Sequence, residues 1–219
     1  MANDIEAPPN EILDITQTIT PDTPVWPGDG SYAIDRTWTI GPECPVLVSR
    51  IAMSTHTGTH ADAPCHYDVE GKQMESVALR PYLGRCVVVN ARGDGDVVQL
   101  EEIRDAVDRL TTPPERVLIR TFTQFPHHEW PGHFRGLAPA MIAYLGERGC
   151  CLIGTDAPSI DPETSKTLDA HHTVKRHRMA ILEGLVLDHV DPGEYELVAL
   201  PLRLAAADAS PVRAVLRRI

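Results

Sequence analysis

Eight short apolar runs constrain the fold of this chain more than any other feature of its sequence. They are LDITQTI (13–19), SYAIDRTWTI (31–40), PVLVSRIAMST (45–55), CVVVNA (86–91), RVLIRTF (116–122), CCLIGTD (150–156), AILEGLVLDH (180–189) and YELVALPL (195–202). Helical periodicity is confined to three segments, 100–110, 138–149 and 165–179. Strands and helices mix without strict alternation, which predicts an α/β (mixed) fold in which a few helices flank a strand-rich mixed β-sheet core.

Length and charge narrow the class of protein further. With 219 residues, the chain is long enough for one domain, which we expect over residues 12–219 after a flexible leader at residues 1–11. No apolar run approaches the ~20 residues of a membrane span. A net charge of −11 argues against a nucleic acid partner. Five cysteines without a C-x-x-C spacing fit a reducing cytoplasm, where we expect the protein to act.

Residues 56–66, HTGTHADAPCH, concentrate groups that bind metals. The potential ligands are His56, His60, Asp62 and His66. All four have even numbers, so an extended chain would point them to one face. On a straight strand, residues four apart are ~13 Å from each other, whereas zinc ligands lie ~2.0–2.2 Å from the ion. The segment therefore predicts a metal site only if the chain bends, and Gly58 and Pro64 are suited to bending it.

A second group of candidate ligands lies downstream. Glu183 interrupts the apolar run ILEGLVL, and a buried carboxylate is costly unless it pairs with a cation. That cation could be a metal ion or an arginine. His171 and His172 lie a short way upstream, but spacing alone neither distinguishes them nor excludes His177.

Several motifs together resemble a known family. They are DIT near the start, TPVWPGD (23–29), HTGTHADAPCHY (56–67), DAPSIDPETSKTLDAHH (156–172), ILEGL (181–185) and ASPVRAVL (209–216). From about residue 12 to the end, the chain is similar to bacterial kynurenine formamidases of the cyclase-like metal-dependent hydrolase family. The resemblance implies a cyclase-like (swivelling β/β/α) fold, a homodimer and hydrolysis of N-formyl-L-kynurenine in tryptophan degradation.

The same resemblance implies a site with two zinc ions per subunit. Its implied ligands are His56, His60, Asp62, His171 and Glu183. Asp62 would bridge the two ions and Glu183 would contact both. His66 would transfer protons, and Trp26 would line the substrate pocket. Cys65 occupies the variable position before His66 and is expected not to be a ligand.

Other interpretations stay open at this point. The metal motif would also suit another amide or lactone hydrolase of the superfamily, such as a manganese-dependent isatin hydrolase, or a non-catalytic metal-binding domain. Mn²⁺ or Co²⁺ are possible alternatives to Zn²⁺, because nitrogen and oxygen ligands accept all three.

Three further segments carry smaller predictions. The segment 125–134, with His127, His128 and His133, is expected to form a loop or a lid with Phe122, Phe125 and Trp130 rather than an accessory metal site. Asp156 and Asp161 are expected in caps or turns. The C-terminal stretch SPVRAVLRRI (210–219) is an apolar candidate for the dimer interface.

Overall fold

The computed structural model describes residues 11–219, and most of its strands belong to one sheet. The strands are β1 (Ile12–Asp14), β2 (Ala33–Trp38), β3 (Val48–Ala52), β4 (His60–Asp62), β5 (Leu83–Asn90), β6 (Val97–Val98), β7 (Arg116–Arg120), β8 (Gly136–Leu137), β9 (Leu152–Thr155), β10 (Ala180–Glu183), β11 (Gly193–Val198), β12 (Ala209–Pro211) and β13 (Val215–Arg218). The helices are α1 (Leu100–Asp108), α2 (Pro139–Glu147) and α3 (Asp169–His177).

The main sheet has nine strands in the order β1-β13-β11-β5-β7-β9-β10-β4-β12. Its centre, from β5 through β7 and β9 to β10, is parallel, and the flanking pairs are antiparallel. The predicted class, a mixed sheet in one domain with a few helices, is therefore confirmed. The predicted leader, residues 1–11, lies outside the described residues except for Glu11.

Successive side chains of the central strands point to opposite faces of the sheet, and they form a hydrophobic core on each face. In β5, Val87 and Val89 pack on the side of the helices, whereas Cys86 and Val88 pack on the opposite side. Each fully buried valine of this kind contributes roughly 1.5–3 kcal/mol of transfer free energy. The parallel centre is thus covered on both faces, as parallel sheets generally are.

The apolar segments differ in how far the rest of the chain covers them. The runs 31–40 and 45–55 do form strands, but β2 and β3 pair only with each other in a two-stranded ribbon whose residues are all exposed. The C-terminal stretch, in contrast, lies within the main sheet as β12 and β13, with Val212, Ala214 and Leu216 buried in the core. Most of its apolar side chains are therefore covered within the chain itself, whereas Ile219 is 61% exposed, and a role of the stretch in a dimer interface stays a prediction.

The run 180–189 is a strand only as far as Glu183, because Gly184 adopts a left-handed conformation with φ +62°. The carboxylate thus ends a buried strand instead of interrupting one. Among residues 11–219, the helices are too short and too polar for any of them to span a bilayer.

Candidate metal centre

The short strand β4 positions the centre of the site. It lies between β10 and β12, and its antiparallel register with β10 places His60 opposite Glu183. His60 and Asp62 project from the same face of β4, while Ala61 between them packs in the core on the other face. Strand pairing therefore brings together two segments that are more than a hundred residues apart in the sequence.

Turns on both sides of β4 add two further imidazoles. Gly58 has φ +65°, so the chain turns sharply between His56 and His60. Pro64 begins a 3-10 turn that ends at His66. The rings of His56 and His60 are 4.9 Å apart, and those of His56 and His66 are 4.2 Å apart. The two residues expected to bend the segment thus lie at its two turns.

The two carboxylate oxygens of Asp62 face different imidazoles. Oδ1 lies 3.2 Å from His56 Nδ1 and 3.4 Å from His60 Nε2. Oδ2 lies 3.4 Å from His171 Nε2. Glu183 spans the same two sides, because its Oε2 is 3.3 Å from His60 Nε2 and its Oε1 is 3.8 Å from His171 Nε2. Asp62 and Glu183 therefore lie between two separate groups of ligand atoms.

Each of these imidazoles has an acceptor for its outer nitrogen. His60 Nδ1 is 2.9 Å from the Gly58 carbonyl oxygen, and His171 Nδ1 is 2.6 Å from Asp161 Oδ2. These contacts direct the Nε2 atoms of both rings towards Asp62. An outer acceptor of this kind usually orients histidines that bind metal ions.

Asp161 also caps helix α3. Its carboxylate accepts hydrogen bonds from the backbone N–H groups of Ala170 and His171, at 3.0 and 3.1 Å. The expectation of a capping role is correct but incomplete, since the same carboxylate orients the His171 ring. Sequence reasoning missed this second role because caps are the commonest use of aspartate beside a helix.

The electrostatics of the site favour added positive charge. Burial alone would lower the pKa of His60, but the Asp62 and Glu183 carboxylates raise it to about 10. Burial likewise opposes protonation of His171, yet Asp161 and Asp62 raise its pKa to about 10. Burial would raise the pKa of Asp62, but the nearby imidazoles of His171, His56 and His60 hold it well below its ordinary value. Asp62 is thus ionised in a field that attracts cations.

Unpaired buried atoms indicate that these residues fit a metal ion. Both oxygens of Asp62 and Nε2 of His60 are inaccessible to solvent and have no hydrogen-bond partner among residues 11–219. Such atoms cost free energy unless something coordinates them. Two groups have ligand atoms within 4.8 Å of one another, namely His56, Asp62 and His66, and His60, Asp62 and Glu183. Within residues 11–219, Asp62 belongs to both groups, whereas the first includes His66, to which the family resemblance assigned proton transfer, and neither includes His171.

The histidines outside this cluster differ clearly from those within it. His172 is exposed and His177 is half-buried, whereas His171 is buried and faces Asp62. His127, His128 and His133 are exposed in a loop whose Phe125 and Trp130 line the neighbouring cavity. That loop matches the expected position beside the pocket.

The cavity beside the cluster has a volume of about 490 Å³. Aromatic and proline side chains form much of its wall, with the cluster on one side. Trp26 meets Trp130 edge to face with the ring centres 5.4 Å apart. The volume lies within the range of sites for small molecules. Trp26 therefore lies in the wall of a pocket, the kind of position that the family resemblance implied.

Comparison with known proteins finds a family model and a relative that match most of this chain. The family model described as "Putative cyclase" matches residues 13–162. A kynurenine formamidase from Maricaulis maris is 54% identical over 210 residues, which is 95% of this chain and 99% of that protein.

Solved structures share the fold. A predicted metal-dependent hydrolase from Bacillus stearothermophilus superposes with a TM-score of 0.79 at 29% identity, over 94% of this chain and 98% of the other. Isatin hydrolase A from Labrenzia aggregata gives a TM-score of 0.81 at 24% identity, over 95% of this chain and 93% of the other. At that identity, the second likeness concerns the fold alone.

Proposed function

The chain belongs to the cyclase family of metal-dependent hydrolases, and we propose that it hydrolyses N-formyl-L-kynurenine to L-kynurenine and formate in tryptophan degradation. The observation that carries this proposal is the position of Asp62, whose two oxygens face separate imidazoles beside an aromatic cavity. The 54% identity with a kynurenine formamidase, over nearly the whole of both chains, favours this substrate over the cyclic amide isatin. A reducing cytoplasm suits the odd number of cysteines.

We assign the metal ligands in two groups. His56, His60 and one oxygen of Asp62 would hold one zinc ion, and the other oxygen would bridge to a second. His171 would hold that second ion, and Glu183 would contact both. Imidazole and carboxylate are common zinc ligands, although Mn²⁺ and Co²⁺ accept them as well. When bound, such ions activate water for attack near neutral pH and polarise an amide carbonyl.

His66 is assigned the proton transfer. Hydrolysis of an aryl formamide takes a proton from the attacking water and must give one to the departing amine nitrogen. His66 lies beside His56, and burial lowers the pKa of its imidazole, so it is largely neutral at pH 7 and able to accept a proton. The protonated ring then donates to the amine, which leaves as the neutral aryl amine.

The cavity wall would hold the aromatic ring of the substrate. Trp26 and Trp130 are edge to face, and Phe125 is also part of the wall. An aryl ring packed against these side chains gains edge-to-face contacts and displaces water. The formamide would then point towards Asp62 and His66. These positions support a role for Trp26 in substrate binding.

The central experiment combines metal analysis with two substrates. The purified protein is assayed with N-formyl-L-kynurenine and with isatin before chelation, after chelation and after zinc is restored. We expect two zinc ions per chain and metal-dependent release of formate from N-formyl-L-kynurenine. His171→Ala should lose metal and activity, whereas the matched control His172→Ala should keep both, because His172 is exposed.

Two results would contradict the proposal. Turnover of isatin without turnover of N-formyl-L-kynurenine would identify a cyclic amide hydrolase. Tightly bound metal without turnover of either substrate would favour a non-catalytic metal-binding domain.

We also propose that the enzyme is a homodimer whose subunits meet at the arm, defined as the β2–β3 ribbon and its connecting loop (residues 33–52). Every residue of both strands is exposed. Its large exposed apolar residues are Ile34, Trp38, Ile40, Val46, Leu47, Val48 and Ile51. A lone two-stranded ribbon is marginal in water, and monomers rarely expose so apolar a surface. A two-fold pairing would cover the same surface on both copies.

Light scattering on the purified protein tests the dimer. We expect a dimeric mass for the unsubstituted chain and a monomeric mass when Trp38 and Ile51 are both changed to lysine. Val69→Lys is the matched control, since Val69 is 94% exposed and lies outside the arm. A monomeric mass for the unsubstituted chain at micromolar concentration would contradict this assignment.

A further inference from the structure

Asp208 lies on the outer side of the metal centre and faces two of its histidines. Its Oδ2 is 3.3 Å from His56 Nε2 and 3.9 Å from His66 Nδ1. Its Oδ1 accepts a hydrogen bond from the Thr55 hydroxyl at 2.7 Å. One carboxylate is therefore shared by a proposed metal ligand and by the proposed proton carrier.

The orientation of the His56 ring makes this contact informative. His60 and His171 direct Nε2 towards Asp62, whereas His56 directs Nδ1 towards it. A neutral imidazole that binds a metal through Nδ1 must carry its proton on Nε2. That N–H needs an acceptor, and Asp208 is placed to provide one. Gly58 and Asp161 play the same part for the other two rings.

The backbone around Asp208 is well anchored. Asp208 directly precedes β12, and its carbonyl oxygen accepts a hydrogen bond from Ala63 N at 2.9 Å. Ala206 has φ +60° and donates its N–H to Glu75 Oε2 at 3.2 Å, while the Ala207 carbonyl accepts from Met74 N at 2.9 Å. The carboxylate is thus presented to the histidines by a fixed loop.

We propose that Asp208 is a positioning residue, which fixes the tautomer and orientation of His56 for metal binding. This inference rests on the proposed role of His56 as a metal ligand. Asp208 belongs to neither candidate group of metal ligands and does not line the cavity. Its effect is transmitted through the His56 imidazole, so it acts on metal affinity.

Zinc affinity, measured by competition with a chromophoric chelator, tests the inference without substrate. Loss of a residue that orients a metal-binding histidine typically weakens binding 10- to 100-fold. We therefore expect roughly a 10- to 100-fold loss for Asp208→Ala at one of the two zinc positions. Asp208→Asn keeps an acceptor oxygen and should lose less. Asp105→Asn, which removes an exposed carboxylate on α1, is the matched control and should bind zinc normally.

A spectroscopic measurement separates positioning from a purely structural role. If Asp208 orients His56, the visible absorption of the cobalt-substituted protein should change in Asp208→Ala at one metal position. Thr55→Val removes the hydroxyl that anchors Asp208 but leaves the acceptor, so it should retain most of the affinity. Unchanged affinity and an unchanged cobalt spectrum in both Asp208→Ala and Asp208→Asn would overturn the inference.

The two proposals fail in different ways. If the unsubstituted chain binds no metal, the proposed function itself is wrong. If it binds two ions and both Asp208 variants bind them equally well, only the role of Asp208 is wrong. Should Asp208→Ala not fold by circular dichroism, the nearly isosteric Asp208→Asn decides, since intermediate affinity supports the inference and unchanged affinity rejects it.

Discussion

Gly184→Ala is the substitution whose effect can be worked out most fully from the structure. Gly184 directly follows Glu183 and has φ +62°. A Cβ atom there would lie 2.5 Å from the Gly58 carbonyl oxygen and 3.0 Å from the Gly58 carbonyl carbon. The neighbouring Thr59 hydroxyl also donates to the Gly184 carbonyl at 2.6 Å. The glycine thus allows a close approach between the two segments that carry His60 and Glu183.

The expected cost has two parts. The left-handed conformation costs an alanine roughly 1–2 kcal/mol, and relief of an overpacked contact typically costs about 1–3 kcal/mol more. To raise a 2.5 Å contact to 3.0 Å, the closest approach that real Cβ atoms show, the backbones must separate by about 0.5 Å. Metal ligands tolerate only about 0.2 Å. We therefore expect a loss of roughly 2–5 kcal/mol in the free energy of unfolding, together with weakened metal binding.

Elemental analysis and urea denaturation of the same preparation test both effects. Gly149→Ala is the matched control, because Gly149 has φ +90° but no atom within 4 Å of the added Cβ. The Gly149→Ala variant should lose stability only through the cost of the left-handed conformation, and it should keep its metal. If Gly184→Ala retains two zinc ions and unfolds no more easily than Gly149→Ala, then the approach to Gly58 does not hold the site together.

Three further predictions concern the site and the fold. His60→Ala should lose metal and activity together, because His60 Nε2 faces both Asp62 and Glu183; normal zinc content by elemental analysis would contradict the ligand assignment. His66→Ala should keep its metal and lose roughly 10²–10⁴ in kcat, and a loss of zinc would make His66 a ligand instead. Glu102→Gln should destabilise the fold by roughly 1–3 kcal/mol, since Glu102 accepts two hydrogen bonds from buried Arg135. Hydrogen bonds from Arg135 lower the pKa of Glu102, so this stabilisation is present above pH ~4.5 and is lost as the pH falls through the folded-state pKa. Urea denaturation should therefore show a smaller difference in stability between the unsubstituted chain and Glu102→Gln at pH 4 than at pH 7.

The sequence predicted the part of the site that depends on local chain geometry. Gly58 and Pro64 lie between or beside the histidines they turn, so their conformational preferences act directly on ligand positions. Glu183 was found by another signal, a carboxylate in an apolar run. Neither signal shows that His60 and Glu183 are neighbours, because the register between β4 and β10 joins segments that are distant in the chain.

Sequence analysis missed two kinds of residue. One kind is distant in the chain from the residues that it contacts, and the other belongs to a residue type with a more common structural role. Asp208 is 152 residues from His56 in the chain, and only the pairing of β12 with β4 brings it to the site. Asp161 resembles an ordinary helix cap, and its contact with the His171 ring depends on how α3 packs. The sequence did not show that Val212, Ala214 and Leu216 are covered by the chain's own sheet, because an apolar stretch has the same pattern whether its own sheet or a partner covers it.

The site ties metal binding to the stability of the fold. Asp62 is ionised and buried, and its oxygens have no hydrogen-bond donor in the part of the chain described by the structure. The same aspartate lies in β4, whose neighbours β10 and β12 come from the last third of the chain. Without a cation, two carboxylates are buried close together, and their burial costs free energy even though they raise the pKa of His60 and of His171 to about 10. A divalent ion removes that cost in the folded chain alone, so the strands that meet at Asp62 are held by the ligand as well as by their hydrogen bonds.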